Sequence, residues 1–196
     1  MSGNSSATGG YLRQLNTPLS DDALLDAIHD AIAGITGIAP ELVRPRWQHL
    51  PPNQPPNTPP AATNWCAFGI TDRTPINYPV IRHFAGGPDR VTRWSAVTVL
   101  ASLYGPACHA LAEQLRDGFY VDQNREQLGL VGVKLTEVGE LTAVPDQVNL
   151  QWLNHVDIPI ILAQSVDRDY DVLDIASSQG TITTENGVTV DWNVNE

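Results

Sequence analysis

The sequence predicts an α+β fold: a mainly antiparallel sheet of about five strands flanked by two amphipathic helices, plus a C-terminal β-hairpin. Strand-like and helix-like stretches run helix, strand, strand, strand, helix, strand, strand, without the βαβ alternation that builds a parallel sheet. The stretch Arg90–Gly118 joins a long β-branched and aromatic strand directly to a helix. Near the end, TITTENGVTVDW sets Asn186-Gly187, the type I′ hairpin signal, between two β-rich runs.

The first helix is expected over Asp21–Gly37, with Leu24, Leu25, Ile28, Ala31, Ile32 and Ile35 as one apolar stripe. Ser20 or Asp21 can cap it, and Asp21, Asp22 and Asp26 suit its positive end; Gly34 and Gly37 weaken its far end, and Pro40 closes the passage. A strand follows at Leu42–Gln48, where Pro45 predicts an edge position or a bulge. LPPNQPPNTPP carries six prolines between Pro51 and Pro60, so it forms neither helix nor ladder, and polyproline II is its natural state. It reads as a stiff loop between strands. The competing reading, a proline-rich ligand for a partner's aromatic groove, has no flanking basic residue to support it. Asn64–Ile70 is the second strand. Thr71–Asp89 has three prolines and Gly86-Gly87, and reads as an irregular loop. At roughly 20 residues it is longer than packing requires, which points to a functional or interface loop. Arg73, Arg82, His83 and Arg90 gather in or beside it, and a solvated loop is the plain explanation.

Within Arg90–Gly118, Trp94, Ala96, Thr98 and Leu100 fall on one strand face and Val97, Val99, Ala101 and Leu103 on the other. Apolar residues on both faces place this strand inside the sheet. Gly105-Pro106 changes the period, Ala107, Cys108, Leu111, Ala112 and Leu115 follow at helical spacing, and Gly118 stops the helix. Leu130–Glu137 alternates as a strand, Pro145 breaks the chain, and Val156–Gln164 is a further strand with Pro159 marking an edge or bulge. Asp167–Asp174 is a turn of helix or a loop.

A chain of 196 residues, 42% of them hydrophobic, suffices for one ordinary domain. No apolar run approaches the roughly 20 residues that cross a bilayer. MSGNSSATGG lacks the charged and apolar regions of a signal peptide and reads as a flexible leader, so an intracellular product is expected. The glycosylation match at Asn4-Ser5-Ser6 then counts as chance. The net charge of −11, from 22 acidic against 11 basic residues, disfavours a protein that grips nucleic acid. It is compatible with one past which DNA slides without sticking.

Candidate chemistry is sparse. His29, His49, His83, His109 and His155 are scattered, with no metal-ligand spacing among them. Asp167, Asp169 and Asp171 begin like a calcium loop, but Val172 replaces the required glycine and Ser178 the bidentate glutamate. No glycine spacing suits a phosphate cradle. Cys66 and Cys108 read as buried thiols; Cys66 with His155 and Asp157 makes a nucleophilic triad only on paper. No catalytic, cofactor-binding or metal residue is therefore assigned, and no cofactor is expected.

The helix DDALLDAIHDAIAGITG, the strand LVRPRWQ, the proline-rich spacer, NWCAFGI, the unit VTRWSAVTVLASLYGPACHALAEQLRDGF and the strand HVDIPIILAQ resemble, in order and texture, the neck and tail terminator proteins of tailed bacteriophages, particularly the neck-terminator-like family. The similarity covers residues 20–175. It implies a non-enzymatic α+β virion subunit at the neck, or head–tail junction, assembled in the host cytoplasm. That subunit would form a ring, typically a homohexamer, which caps the tail tube and joins it to the head-completion or connector protein. Its acidic lumen would pass DNA without specific binding, and no membrane is involved. The domain division expected is a leader over 1–19, the terminator-like α+β domain over 20–176 and a hairpin arm over 177–196. The hairpin and Thr71–Asp89 match no family role; each either adds a strand to a neighbour or covers the domain's own core. Another connector component of the virion and a small thiol-dependent enzyme are the alternative readings.

Overall fold

The computed structural model describes residues 8–18, 20–47, 62–84, 86–148, 151–172 and 177–195. The chain is α+β, as its sequence predicts, with a seven-stranded sheet ordered β1-β2-β4-β7-β5 among the described residues. These strands are β1 (Val43–Pro45), β2 (Trp65–Pro75), β4 (Asp89–Tyr104), β7 (Gln151–Tyr170) and β5 (Val133–Val138). Off this path, β3 (Val80–Arg82) pairs with β4 and β6 (Thr142–Val148) with β7. β1 runs parallel to β2, whereas β2, β3, β5 and β6 are antiparallel to their long partners. Two strands, β8 (Ser177–Thr183) and β9 (Thr189–Asn195), form a separate hairpin. The chain divides into two compact units: Pro18–Pro79 with Arg93–Val166, and Met1–Thr17 with Val80–Thr92 and Asp167–Glu196.

The first unit holds the core. Helix α1 (Asp21–Thr36) is capped by the Ser20 side chain, which accepts from the Ala23 amide at 3.3 Å, and ends at Gly37 in the left-handed region. It buries Leu24, Ile28 and Ile32 with Cys108, Ala112 and Leu115 of α2 (Cys108–Gly118) and Leu128 of α3 (Asp122–Leu130). In the same cluster lie Cys66 and Phe68 of β2, Val97, Val99, Ala101 and Leu103 of β4, and Val156, Ile158, Ile160 and Leu162 of β7. Each fully buried Leu, Ile or Phe contributes roughly 1.5–3 kcal/mol, which makes this face the energetic centre of the fold. The opposite face of β4, through Trp94, Ala96, Thr98 and Leu100, is only half-buried, so the central strand is fully covered on one side alone. Gly105 turns β4 into α2 at φ 107°, and a Cβ there would meet Asn64 Oδ1 and Thr63 O at 2.6 Å. Asn64 Oδ1 is already engaged, accepting from the Ala107 amide at 2.9 Å.

Several expectations need correction. Thr71–Asp89 is not an irregular loop: β2 continues to Pro75 along Ser95–Thr98 of β4, and Val80–Arg82 pair with Arg90–Thr92. The 16-residue β4 supplies a long template, and Pro75, opposite Ser95, is the last residue of β2. Helix α3 was not expected, since DQNREQLGL buries only Leu128 and shows no apolar stripe. Leu130 accordingly ends that helix rather than opening β5. Pro145 does not break the chain; it sits within β6, opposite Asn154 of β7. Pro159 lies inside β7, in the gap between the stretches paired with β5 and β6. Its carbonyl still accepts from the Gly139 amide at 2.8 Å, a bond that needs no N–H from the proline. β7 runs on to Tyr170, so Asp167–Tyr170 is strand rather than turn. β1 spans only Val43–Pro45, and the proline-rich segment lies outside the described residues.

In the second unit, β3 lies along β4, and Asn16 ties the leading segment to β7, donating to the Asp167 carbonyl and accepting from the Asp169 amide, each at 2.9 Å. The hairpin forms where Asn186-Gly187 predicts it, but the turn differs. The Gly187 amide donates to Thr184 O at 2.9 Å, and only Gly187, at φ 76°, is left-handed. That is a turn with a bulge glycine, not type I′, which needs positive φ at both central residues.

Candidate assembly interface

The nucleophilic triad drawn from the sequence does not form. Cys66 pairs with Leu103 and lies on the helix-covered face, whereas Ser102 pairs with Ala67 on the other. Asp157 and His155 alternate with the buried Val156 and Ile158, so they share the face of Ser102. Burial pushes the Cys66 thiol up to about 12, against smaller opposing contributions from the Arg46 charge and a backbone hydrogen bond at Ser102. At neutral pH it is not a nucleophile.

What the sheet does assemble is a polar chain. Arg46 donates to Ser102 Oγ, and Ser102 donates to Asp157 Oδ1. His155 Nε2 lies 3.6 Å from the same carboxylate oxygen. Tyr104 stacks on His155 at 4.7 Å and Trp65 on Tyr104 at 4.1 Å. Ser102 is fully buried and its proton goes to Asp157, so no hydroxyl is presented to a substrate. The arrangement satisfies a partly buried carboxylate and pins β2, β4 and β7 together.

Of the basic cluster, Arg82 is exposed and the other three members have acidic neighbours. Arg73 donates to Asp21 at 2.6 Å, His83 Nδ1 lies 2.7 Å from Asp89, and Arg90 binds Asp169 through two bonds of 2.8 and 3.1 Å. Asp167 accepts from Thr92 at 2.7 Å. Arg73 and Arg90 are thus each paired with a local acid. Both ring nitrogens of His29 face acceptors, Asp30 Oδ1 at 3.0 Å and the Pro40 carbonyl at 3.0 Å. His109 is exposed on α2, Cys108 is buried in the core, and His49 lies outside the described residues. Among the described residues no three His, Cys, Asp or Glu side chains gather around a metal position.

Apolar surface is the more informative feature. In the first unit, Ile76 and Tyr78 project beyond β2, and Tyr78 is 93% exposed with Arg93 beside it. That tip is fixed, because the Ile76 amide donates to Trp94 O at 3.0 Å. On the same unit, α1 and α3 leave a groove of about 530 Å³ lined by Ala23, Ala27, Ala31, Ile35, Leu130 and Val131, with Asp26 and Asp30 along it. Leu130 stands 80% exposed at its lip. In the second unit, the hairpin register puts Ile182 opposite Val190 and Gly180 opposite Trp192 on one face. The other face is polar throughout, with Thr181 bonded to Asp191 at 2.6 Å. Ile182, Val188, Val190 and Trp192 all remain exposed. A two-stranded hairpin with a bare apolar face is marginal by itself, so such a face calls for a cover. The loop and the hairpin were legible as candidate interfaces; the groove was not, because one of its walls is the helix that has no apolar stripe.

No helix of the described residues is long and apolar enough to cross a membrane. No curated protein matches the chain. The family model described as phage neck terminator protein matches residues 22–187, from the start of α1 to the hairpin turn. Matched over most of its length, the chain belongs to the phage neck terminator family, structural proteins of the virion neck.

Proposed function

We propose that the protein assembles into a ring, a homohexamer, that caps the tail tube and joins it to the head-completion or connector protein. Family membership over residues 22–187 carries this reading. The exposed apolar tip, groove and hairpin support it, since each is surface that assembly would cover. The protein acts as a structural part without cofactor or catalysis, assembled in the host cytoplasm and retained in the virion. Its net charge of −11 gives the ring an acidic lumen, through which DNA passes without being held. The leader over 1–19 precedes the ring-forming body over 20–176, and the hairpin over 177–196 is an arm reaching a neighbouring subunit.

Negative-stain imaging of the purified protein, alone and mixed with tail tubes, tests this. Six-fold rings seated on tube ends are expected. Binding to portal-bearing heads without any affinity for tubes would replace the terminator with another connector component.

A further inference from the structure

The groove between α1 and α3 and the Ile76–Pro79 tip belong to one unit, and neither is covered within it. The groove is concave, walled by small side chains, and acidic through Asp26 and Asp30. The tip bears the exposed Ile76 and Tyr78, and Arg93 lies beside them. The tip cannot swing into its own chain's groove without breaking the ladder that holds Pro75 against Ser95 and the Ile76 amide on Trp94. A second copy meets no such restriction.

We propose that the groove of one copy receives the Ile76–Pro79 tip of the next, with Tyr78 against Ala27, Ala31 and Leu130 and Arg93 facing Asp26 and Asp30. Charge selects this occupant over the hairpin. The hairpin carries Glu185 and Asp191, which would set like charges against the groove's acids, whereas the tip brings an arginine. Contact between two different patches is heterologous, and repeated around an axis it closes a ring when the rotation allows. The inference rests on the ring reading and names the surfaces that build it.

Cross-linking of the full chain tests it. Cys66 and Cys108 are buried, so cysteines introduced by Leu130→Cys and Tyr78→Cys are the thiols an oxidant reaches. Mixing the two single variants should yield a disulfide-linked pair containing one of each. A chain carrying both should give a ladder of covalent oligomers. Homodimers of Leu130→Cys alone, or no cross-link under conditions in which imaging shows rings, would overturn the groove–tip contact while leaving the ring intact. If the protein forms no oligomer at high concentration or on tail tubes, the ring reading falls and the contact with it. A charge exchange gives a second readout: Asp26→Arg and Arg93→Asp should each lower ring yield at least tenfold, and combining them should restore it. Unchanged yield in both singles would also overturn the contact.

Discussion

At the scale of single residues, three titrating groups have checkable consequences. Burial lowers the pKa of His29, but the hydrogen bond to Asp30, the Pro40 carbonyl and the charges of Asp30 and Asp26 together outweigh it, so the value is raised. A raised histidine stabilises the fold in full below its unfolded value, about 6.5, and that contribution is lost as pH rises through the folded value. The thermal stability of the wild type should therefore exceed that of His29→Ala by more at mildly acidic pH than at mildly alkaline pH. Equal differences across the range would show that the ring is held by packing alone. Asp169 runs the other way: the Arg90 hydrogen bonds lower its pKa, so its contribution is present at neutral pH and is lost only as acid takes it through that lowered value. Cys66, at about 12 through burial, should resist alkylation in the native protein and react only on unfolding. Native-state mass spectrometry after iodoacetamide reads this directly. Rapid native modification at Cys66 would reopen the thiol-enzyme reading.

At the scale of elements, what could be read in the sequence was what is decided locally. The apolar stripe Leu24, Ile28, Ile32, the break at Gly105-Pro106 and the Asn186-Gly187 turn each announce an element within a few residues. Elements stabilised by a distant partner were illegible. β6 passes through Pro145 because Asn154 and its neighbours on β7 hold it in register, and β2 extends past Ile70 because β4 is long enough to pair with it. The polar α3 forms by covering α1 and β5 with Leu128, which its own sequence barely signals. The candidate interface divides the same way: exposed Tyr78 lies in a stretch whose length already marked it, but the groove exists only once α3 is placed. The hairpin, paired only with itself among the described residues, gives the element-scale prediction. Deleting residues 177–196 should leave the far-UV circular dichroism of the remaining sheet and helices intact and shift Tm little, while sharply reducing assembly. A truncated chain that assembles normally would assign the hairpin a role outside subunit contact.

At the scale of the whole molecule, the balance of charges sets how copies approach one another. Each carries a net −11, so copies repel at distances where individual surface pairs are not yet in contact. The screening length shrinks from about 30 Å at 0.01 M salt to about 10 Å at 0.1 M. Added salt therefore removes the long-range repulsion first. Close pairs such as the proposed Arg93 contact, formed at a few ångströms and partly shielded from solvent, are weakened less. Oligomerisation should thus strengthen as ionic strength rises over this range, the reverse of a subunit held mainly by exposed ion pairs. Sedimentation velocity at fixed protein concentration across the salt series measures the oligomer fraction. A fraction that falls with salt would mean that complementary surface charge, rather than burial of Tyr78, Leu130 and the hairpin face, supplies most of the association. The same net charge should keep duplex DNA from binding even at the lowest salt, where nonspecific affinity is greatest. Retardation of DNA on a native gel at that salt would place a basic surface on the path the DNA takes, and the acidic lumen would have to be given up.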